Sequence, residues 1–146
     1  MSKGTIVPRI LVVDDVEEVL DALGKLLESD GYSVDAARSE DRAVECAQRN
    51  PPDLVLVNLG IPPDEVVATA CRLKTRARLA DDVAVVLFCI ESVAEGAEVD
   101  LGNGVYATRP DNFNQLRALI ARLLQARAPG SGAPFAPGPA GGRTPS

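Results

Sequence analysis

The sequence predicts an α/β protein built on a doubly wound, five-stranded parallel sheet with five helices. Short, continuously apolar runs such as Ile10–Val13 alternate along the chain with stretches whose apolar residues recur at helical spacing. Continuous apolar runs are typical of strands buried on both faces, and alternation with helices favours a parallel sheet covered on both sides. Residues 1–127 have the size of one such domain, and its functional site is expected at the carboxyl ends of the strands.

The first half of the chain gives three strands and two helices. The predicted strands are Ile10–Val13, Tyr32–Ala36 and Leu54–Val57. The first helix follows Asp14-Asp15 with apolar residues at helical spacing and stops at Asp30-Gly31, where glycine favours a helix end. The second helix begins at Ser39, a good N-cap followed by two acids, and stops before Pro51.

The second half gives the remaining elements. A third helix begins at the acidic pair Asp64-Glu65, and Val83–Phe88 is the fourth strand. Glu91–Asp100 is predicted as a weak fourth helix, since Gly96 interrupts it. Val105–Ala107 is the fifth strand, and a fifth helix with the clearest amphipathic pattern follows from Phe113.

Residues 128–146 differ in composition from the rest of the chain. They contain five prolines and five glycines, with Arg143 as the one charged side chain. Such a segment cannot bury enough apolar surface to offset the entropy of ordering it. We therefore expect a Pro/Gly-rich flexible tail.

Composition excludes several classes of function. The net charge of −6 argues against nucleic-acid or anionic-membrane binding, and the absence of histidine rules out imidazole metal sites and bases. Cys46, Cys71 and Cys89 lie too far apart for a paired zinc or redox motif. No apolar stretch has membrane-spanning length. These observations predict a cytoplasmic protein with no nucleic-acid partner and no membrane insertion.

Chemically active side chains fall at the predicted strand ends. Asp14 and Asp15 follow the first strand, Asn58 the third, Cys89 the fourth and Arg109 the fifth. Because the carboxyl ends of parallel strands meet at one edge of a sheet, these side chains are expected to lie together. A carboxylate at the position of Asn58, facing the acidic pair, would be a phosphoryl acceptor, and here an amide stands in its place.

The sequence resembles the receiver domain of bacterial two-component response regulators over about residues 9–126. The segments that carry the resemblance are Leu11–Asp15, Asp53–Pro62 and Tyr106–Pro110. The resemblance implies the flavodoxin-like, CheY-like fold with strand order 2-1-3-4-5. It also implies a bacterial protein of two-component signal transduction or a phosphorelay.

The resemblance assigns a role to each strand-end residue. In the family, an aspartate at the position of Asn58 is phosphorylated and holds Mg²⁺ together with the residues at Asp14 and Asp15. A hydroxyl at the position of Cys89 and a lysine at that of Arg109 bind the phosphoryl oxygens. An amide is a poor nucleophile, a thiol is a weak donor, and a guanidinium lacks the compact charge of an ammonium.

These departures predict a degenerate pseudo-receiver rather than a working phosphorylation site. We expect Asn58 to remain unphosphorylated, and Asp14 and Asp15 to be a remnant pair that binds Mg²⁺ weakly or not at all, with no other cofactor. Arg109 is expected to pair with Asp14 or Asp15 and lock the pocket, and Cys89 to be a small buried hydrophobe. Three departures together favour natural degeneration over one engineered substitution.

The expected function lies on the surface. In the family, phosphorylation moves an aromatic at the position of Tyr106 and reshapes the face of the fourth helix, fifth strand and fifth helix (the α4-β5-α5 face). The alternative for Tyr106 is a cover over apolar surface. We expect a non-enzymatic, stand-alone module, a monomer or weak homodimer, that binds another signalling protein through this face. The predicted contact residues are Val93, Tyr106, Arg109, Pro110 and Phe113.

The alternative function is a response regulator that accepts a phosphoryl group at an unusual or residual site. It differs from the pseudo-receiver in one observable, which is the gain of phosphoryl mass on treatment with a small-molecule phosphodonor.

Overall fold

The computed structural model describes residues 7–88, 93–110 and 112–127. The elements, in chain order, are β1 (Arg9–Asp14), α1 (Glu17–Ser29), β2 (Ser33–Ala37), α2 (Glu40–Arg49), β3 (Leu54–Asn58), α3 (Pro63–Arg76), β4 (Ala84–Phe88), β5 (Glu98–Gly102), β6 (Val105–Thr108) and α4 (Phe113–Arg127). The predicted tail at 128–146 and Cys89 lie outside the described residues. No helix within these ranges is long and apolar enough to cross a membrane.

Six strands form one sheet in the order β2-β1-β3-β4-β6-β5. The first five strands in this order are parallel, and β5 runs antiparallel to β6 at the edge. β1 pairs with β2 on one side and β3 on the other, so the direction of winding reverses there. Functional sites of such sheets lie at this reversal. The register between β1 and β3 places Asp14 beside Asn58 there.

The core has two layers, one on each face of the sheet. Leu11, Val13 and their equivalents on β3 and β4 pack against the apolar sides of α2 and α3. Ile10, Val12 and their equivalents pack against the apolar sides of α1 and α4. The central strands are buried on both faces, which explains why their sequences are continuously apolar rather than alternating.

The predicted α/β fold class is confirmed, but the predicted fourth helix is wrong. Residues 98–102 form β5, which doubles back on β6, so the sheet has a sixth strand and the described residues contain four helices. The predicted fifth strand is therefore β6, and the predicted fifth helix is α4. Residues 91 and 92 of the predicted helix lie outside the described residues.

The turn between β5 and β6 explains this difference. Gly102, Asn103 and Gly104 all have positive φ, at 89°, 57° and 77°. An Asn-Gly pair with positive φ at both positions makes a tight hairpin turn whose twist matches the strands on either side. This turn, together with Gly96, makes the hairpin more favourable than a helix over these residues.

Candidate functional site

The centre of the candidate site is a hydrogen bond between the ends of β1 and β3. Asn58 Nδ2 donates to Asp14 Oδ2 at 3.0 Å, and the main-chain N–H of Val16 donates to Asp14 Oδ1 at 2.8 Å. Asp14 is completely buried, while Asn58 is partly exposed. Both carboxylate oxygens of Asp14 thus accept hydrogen bonds from the protein itself.

The environment of Asp14 disfavours its charged form. Burial raises the pKa of Asp14 above its ordinary value, and the negative charge of Asp15 raises it further. The hydrogen bonds from Val16 and Asn58 act in the opposite direction but do not cancel the effect of burial on this pKa. The amide of Asn58 therefore stabilises a carboxylate that the protein interior penalises.

Asp15 lies outside this buried pair. Its side chain is exposed, and its Oδ2 accepts a long hydrogen bond of 3.4 Å from the main-chain N–H of Gly60. A Cβ at Gly60 would lie 3.4 Å from the same oxygen, which is van der Waals contact. Asp15 also lines a cleft of about 400 Å³ between α2 and α3, together with Arg38 and Arg72.

The predicted ion pair between Arg109 and the acidic pair is not formed. Arg109 is exposed, and no salt bridge within the described ranges joins it to Asp14 or Asp15. The main chain of Arg109 is hydrogen-bonded elsewhere: Arg109 N donates to Ala97 O, and Arg109 O accepts from Gly96 N. The main chain of Arg109 is therefore tied to the segment before β5.

The donor set differs from the one that the family uses for Mg²⁺. The described residues contain no group of three or more acidic or cysteine side chains arranged to hold a metal ion. Asn58 presents an N–H rather than an oxygen to Asp14. Mg²⁺ binds through oxygen ligands, so it would have to break that hydrogen bond to bind Asp14 Oδ2. As arranged, these residues do not fit the ion, and Cys89 lies outside the described residues.

The predicted contact residues occupy different environments. Val93 is only 8% exposed and belongs to the core beside α2 and α3, so its assignment to the surface is wrong. Tyr106 and Phe113 are partly buried against the α1–α4 core, and Pro110 is partly exposed.

Sequence reasoning missed several residues that shape the site. Thr108 is buried, and its Oγ1 donates to Ala97 O at 3.0 Å, which ties β6 to the segment before β5. Arg38 donates to the main-chain oxygen of Asp15 at 3.4 Å. Gly60, two residues after Asn58, is the missed residue that the sequence could have indicated, because glycine often marks a close approach of the main chain.

Comparisons with known proteins identify the family of the chain. The response regulator receiver domain model matches residues 10–121. The response regulator MprA from Mycobacterium sp. (strain KMS) is 32% identical over 126 residues, which are 85% of this chain and 54% of that protein. The chain thus spans about half the length of the curated relatives it matches.

Solved structures show the same fold. A CheY-like receiver domain protein from Methanospirillum hungatei JF-1 superposes with a TM-score of 0.64 at 20% identity, covering 87% of this chain and all of that one. Response regulator protein TrrA from Thermotoga maritima, solved with Mg²⁺ and BeF, gives a TM-score of 0.61 at 23% identity and covers 80% and 99% of the two chains. The chain therefore belongs to the response regulator receiver domain family.

Proposed function

We propose that this protein is a receiver-type signalling module that is not phosphorylated at Asn58 and acts by binding another signalling protein. The observation that carries the proposal is the hydrogen bond from Asn58 to Asp14. Phosphorylation of a receiver needs a carboxylate nucleophile and a dication to spread the transferring charge. Asn58 supplies no such nucleophile, and its N–H occupies an oxygen that the dication would use.

The same contact supports a pocket that is stable without a metal. The N–H groups of Asn58 and Val16 together hold the buried carboxylate of Asp14, while Asp15 is solvated. These two hydrogen bonds offset part of the cost of burying the carboxylate without a cation. Mg²⁺ is accordingly proposed to bind weakly or not at all.

The surface proposed for partner binding is the β5–α4 face, which we define as the exposed parts of β5, β6, Arg109, Pro110 and α4. It takes the place of the family's α4-β5-α5 face, with a hairpin strand where the helix was expected. An ion pair of 2.5 Å between Arg122 and Glu98 joins α4 to β5, so the face is one connected surface. The protein is further proposed to be a cytoplasmic, non-enzymatic monomer or weak homodimer that binds no nucleic acid.

Affinity capture with paired variants tests the binding part of this proposal. Arg109→Glu reverses a charge on the β5–α4 face, and Arg49→Glu makes the same change at an exposed position on α2. The expected result is one set of specific partners that Arg49→Glu retains and Arg109→Glu loses, unchanged by acetyl phosphate and Mg²⁺. Capture that requires the phosphodonor would favour the alternative, a phosphoryl-accepting regulator.

A further inference from the structure

We propose that the outer edge of β5 pairs with an extended segment of a partner protein that carries lysine or arginine at alternate positions. The inference rests on the proposed function, because it names how a partner would meet the β5–α4 face. The partner strand would add to the sheet as its next member, held by main-chain hydrogen bonds and selected by charge.

The edge is open within the described ranges. β5 is the last strand of the sheet and pairs with β6 alone. All five of its residues are exposed. A terminal strand presents a row of unpaired main-chain donors and acceptors on its outer side, which is a template for another strand.

The two faces of β5 differ in chemistry. Glu98 and Asp100 lie opposite Thr108 and Tyr106, on the side of the sheet that α4 covers. Val99 lies opposite Ala107 on the other side and is 39% exposed. An incoming strand with basic and apolar residues in alternation would meet acids on one face and apolar surface on the other.

Asp100 supplies the charge for this recognition. Glu98 already pairs with Arg122, whereas no salt bridge in the described part of the chain involves Asp100. Its Oδ1 accepts a hydrogen bond from the N–H of Gly102 at 2.8 Å, which fixes the carboxylate beside the edge. A cationic side chain on a neighbouring strand would complete this site.

A second copy of this chain fits the edge poorly. Antiparallel pairing about Asp100 would set that residue opposite itself, and a shift by two would set it opposite Glu98. Like charges directly opposite destabilise a strand pair. The net charge of −6 adds repulsion between two copies. These features disfavour pairing between two copies of the chain. They do not disfavour pairing with a basic partner strand.

Titration of the full chain with short peptides tests the proposal. Binding is monitored through the NMR chemical shifts of the backbone amides. The probe is a capped five-residue peptide that alternates lysine with valine. One control replaces lysine with glutamate, and the other keeps the charge but carries N-methyl groups that remove main-chain donors. We expect saturable shifts and slowed amide exchange confined to residues 97–102 with the first peptide alone.

Variants assign the effect to Asp100. Asp100→Asn removes the charge but keeps an oxygen for Gly102, and Asp21→Asn is the matched control at an exposed position on α1. Asp100→Asn should weaken binding about threefold, as one cross-strand charge pair would, and Asp21→Asn should not. Equal binding of the glutamate or N-methyl peptide, shifts outside the edge, or no saturable binding would each overturn the strand proposal. In each case, loss of partner capture in Arg109→Glu would leave the proposed function standing.

Discussion

Restoring the family's aspartate in Asn58→Asp should destabilise this protein in the absence of a metal. The substitution removes the hydrogen bond of 3.0 Å to buried Asp14 and places a second carboxylate beside the first. Two charges about 4 Å apart at an effective dielectric near 20 repel by roughly 4 kcal/mol. The lost hydrogen bond adds about 1 kcal/mol.

Structural relaxation and proton uptake reduce the combined cost of the repulsion and the lost hydrogen bond. Residue 58 is partly exposed, so a new carboxylate can turn toward solvent, and part of the repulsion is avoided by proton uptake. We expect a net loss of about 2–3 kcal/mol in the free energy of unfolding at neutral pH, or about 1–2 M in the urea midpoint for a domain of this size.

Urea denaturation at several pH values is the assay, with Asn112→Asp as the control. Asn112 is exposed and caps α4, where a carboxylate is favourable, so that variant should change stability by less than about 0.5 kcal/mol. A like-charge pair raises the folded-state pKa of its carboxyls, so the penalty in Asn58→Asp should disappear as the pH falls. Unchanged stability at neutral pH would refute the claim that the amide stabilises Asp14.

Three further predictions follow from single contacts. Burial raises the pKa of Asp14, so its ionisation costs stability as pH rises through the folded value; this pH-dependent loss should be absent from Asp14→Asn, and urea stability curves that stay parallel over that pH range would contradict this. Thr108→Val should cost about 1 kcal/mol, measured in urea, and speed amide exchange in β5, since the hydrogen bond to Ala97 O is lost; unchanged exchange would argue against this role. Hydrogen bonding from Arg72 lowers the pKa of Glu40, so thermal stability of Glu40→Gln should fall below wild type at neutral pH and converge with it as pH drops; a gap that persists in acid would count against the pairing.

The sequence was sufficient for the five parallel strands and for the juxtaposition of the ends of β1 and β3. Short, continuously apolar runs such as Leu54–Val57 are typical of strands buried on both faces. The end of each run then shows which polar residue follows the buried part of the strand. Asp14 and Asn58 are therefore neighbours through register alone.

The errors arose where the path of the main chain depends on tertiary structure. Periodicity alone could not separate a weak helix from a hairpin over residues 98–102, although Asn103-Gly104 carried the turn signal. Within the segment predicted as a helix, Gly96 and Ala97 hydrogen-bond the main chain of Arg109, and Val93 packs into the core. Both mistaken side-chain assignments thus follow from one mistaken element.

Intact-mass measurement after incubation with acetyl phosphate and Mg²⁺ tests the central claim most directly. Wild-type protein is predicted to keep its mass, because Asn58 offers no carboxylate nucleophile and hydrogen-bonds the acid that would hold the ion. Asn58→Asp, treated in parallel, serves as the comparison in which an acceptor carboxylate is present. A wild-type protein that gains the mass of one phosphoryl group, labile to hydroxylamine as an acyl phosphate is, would contradict the account.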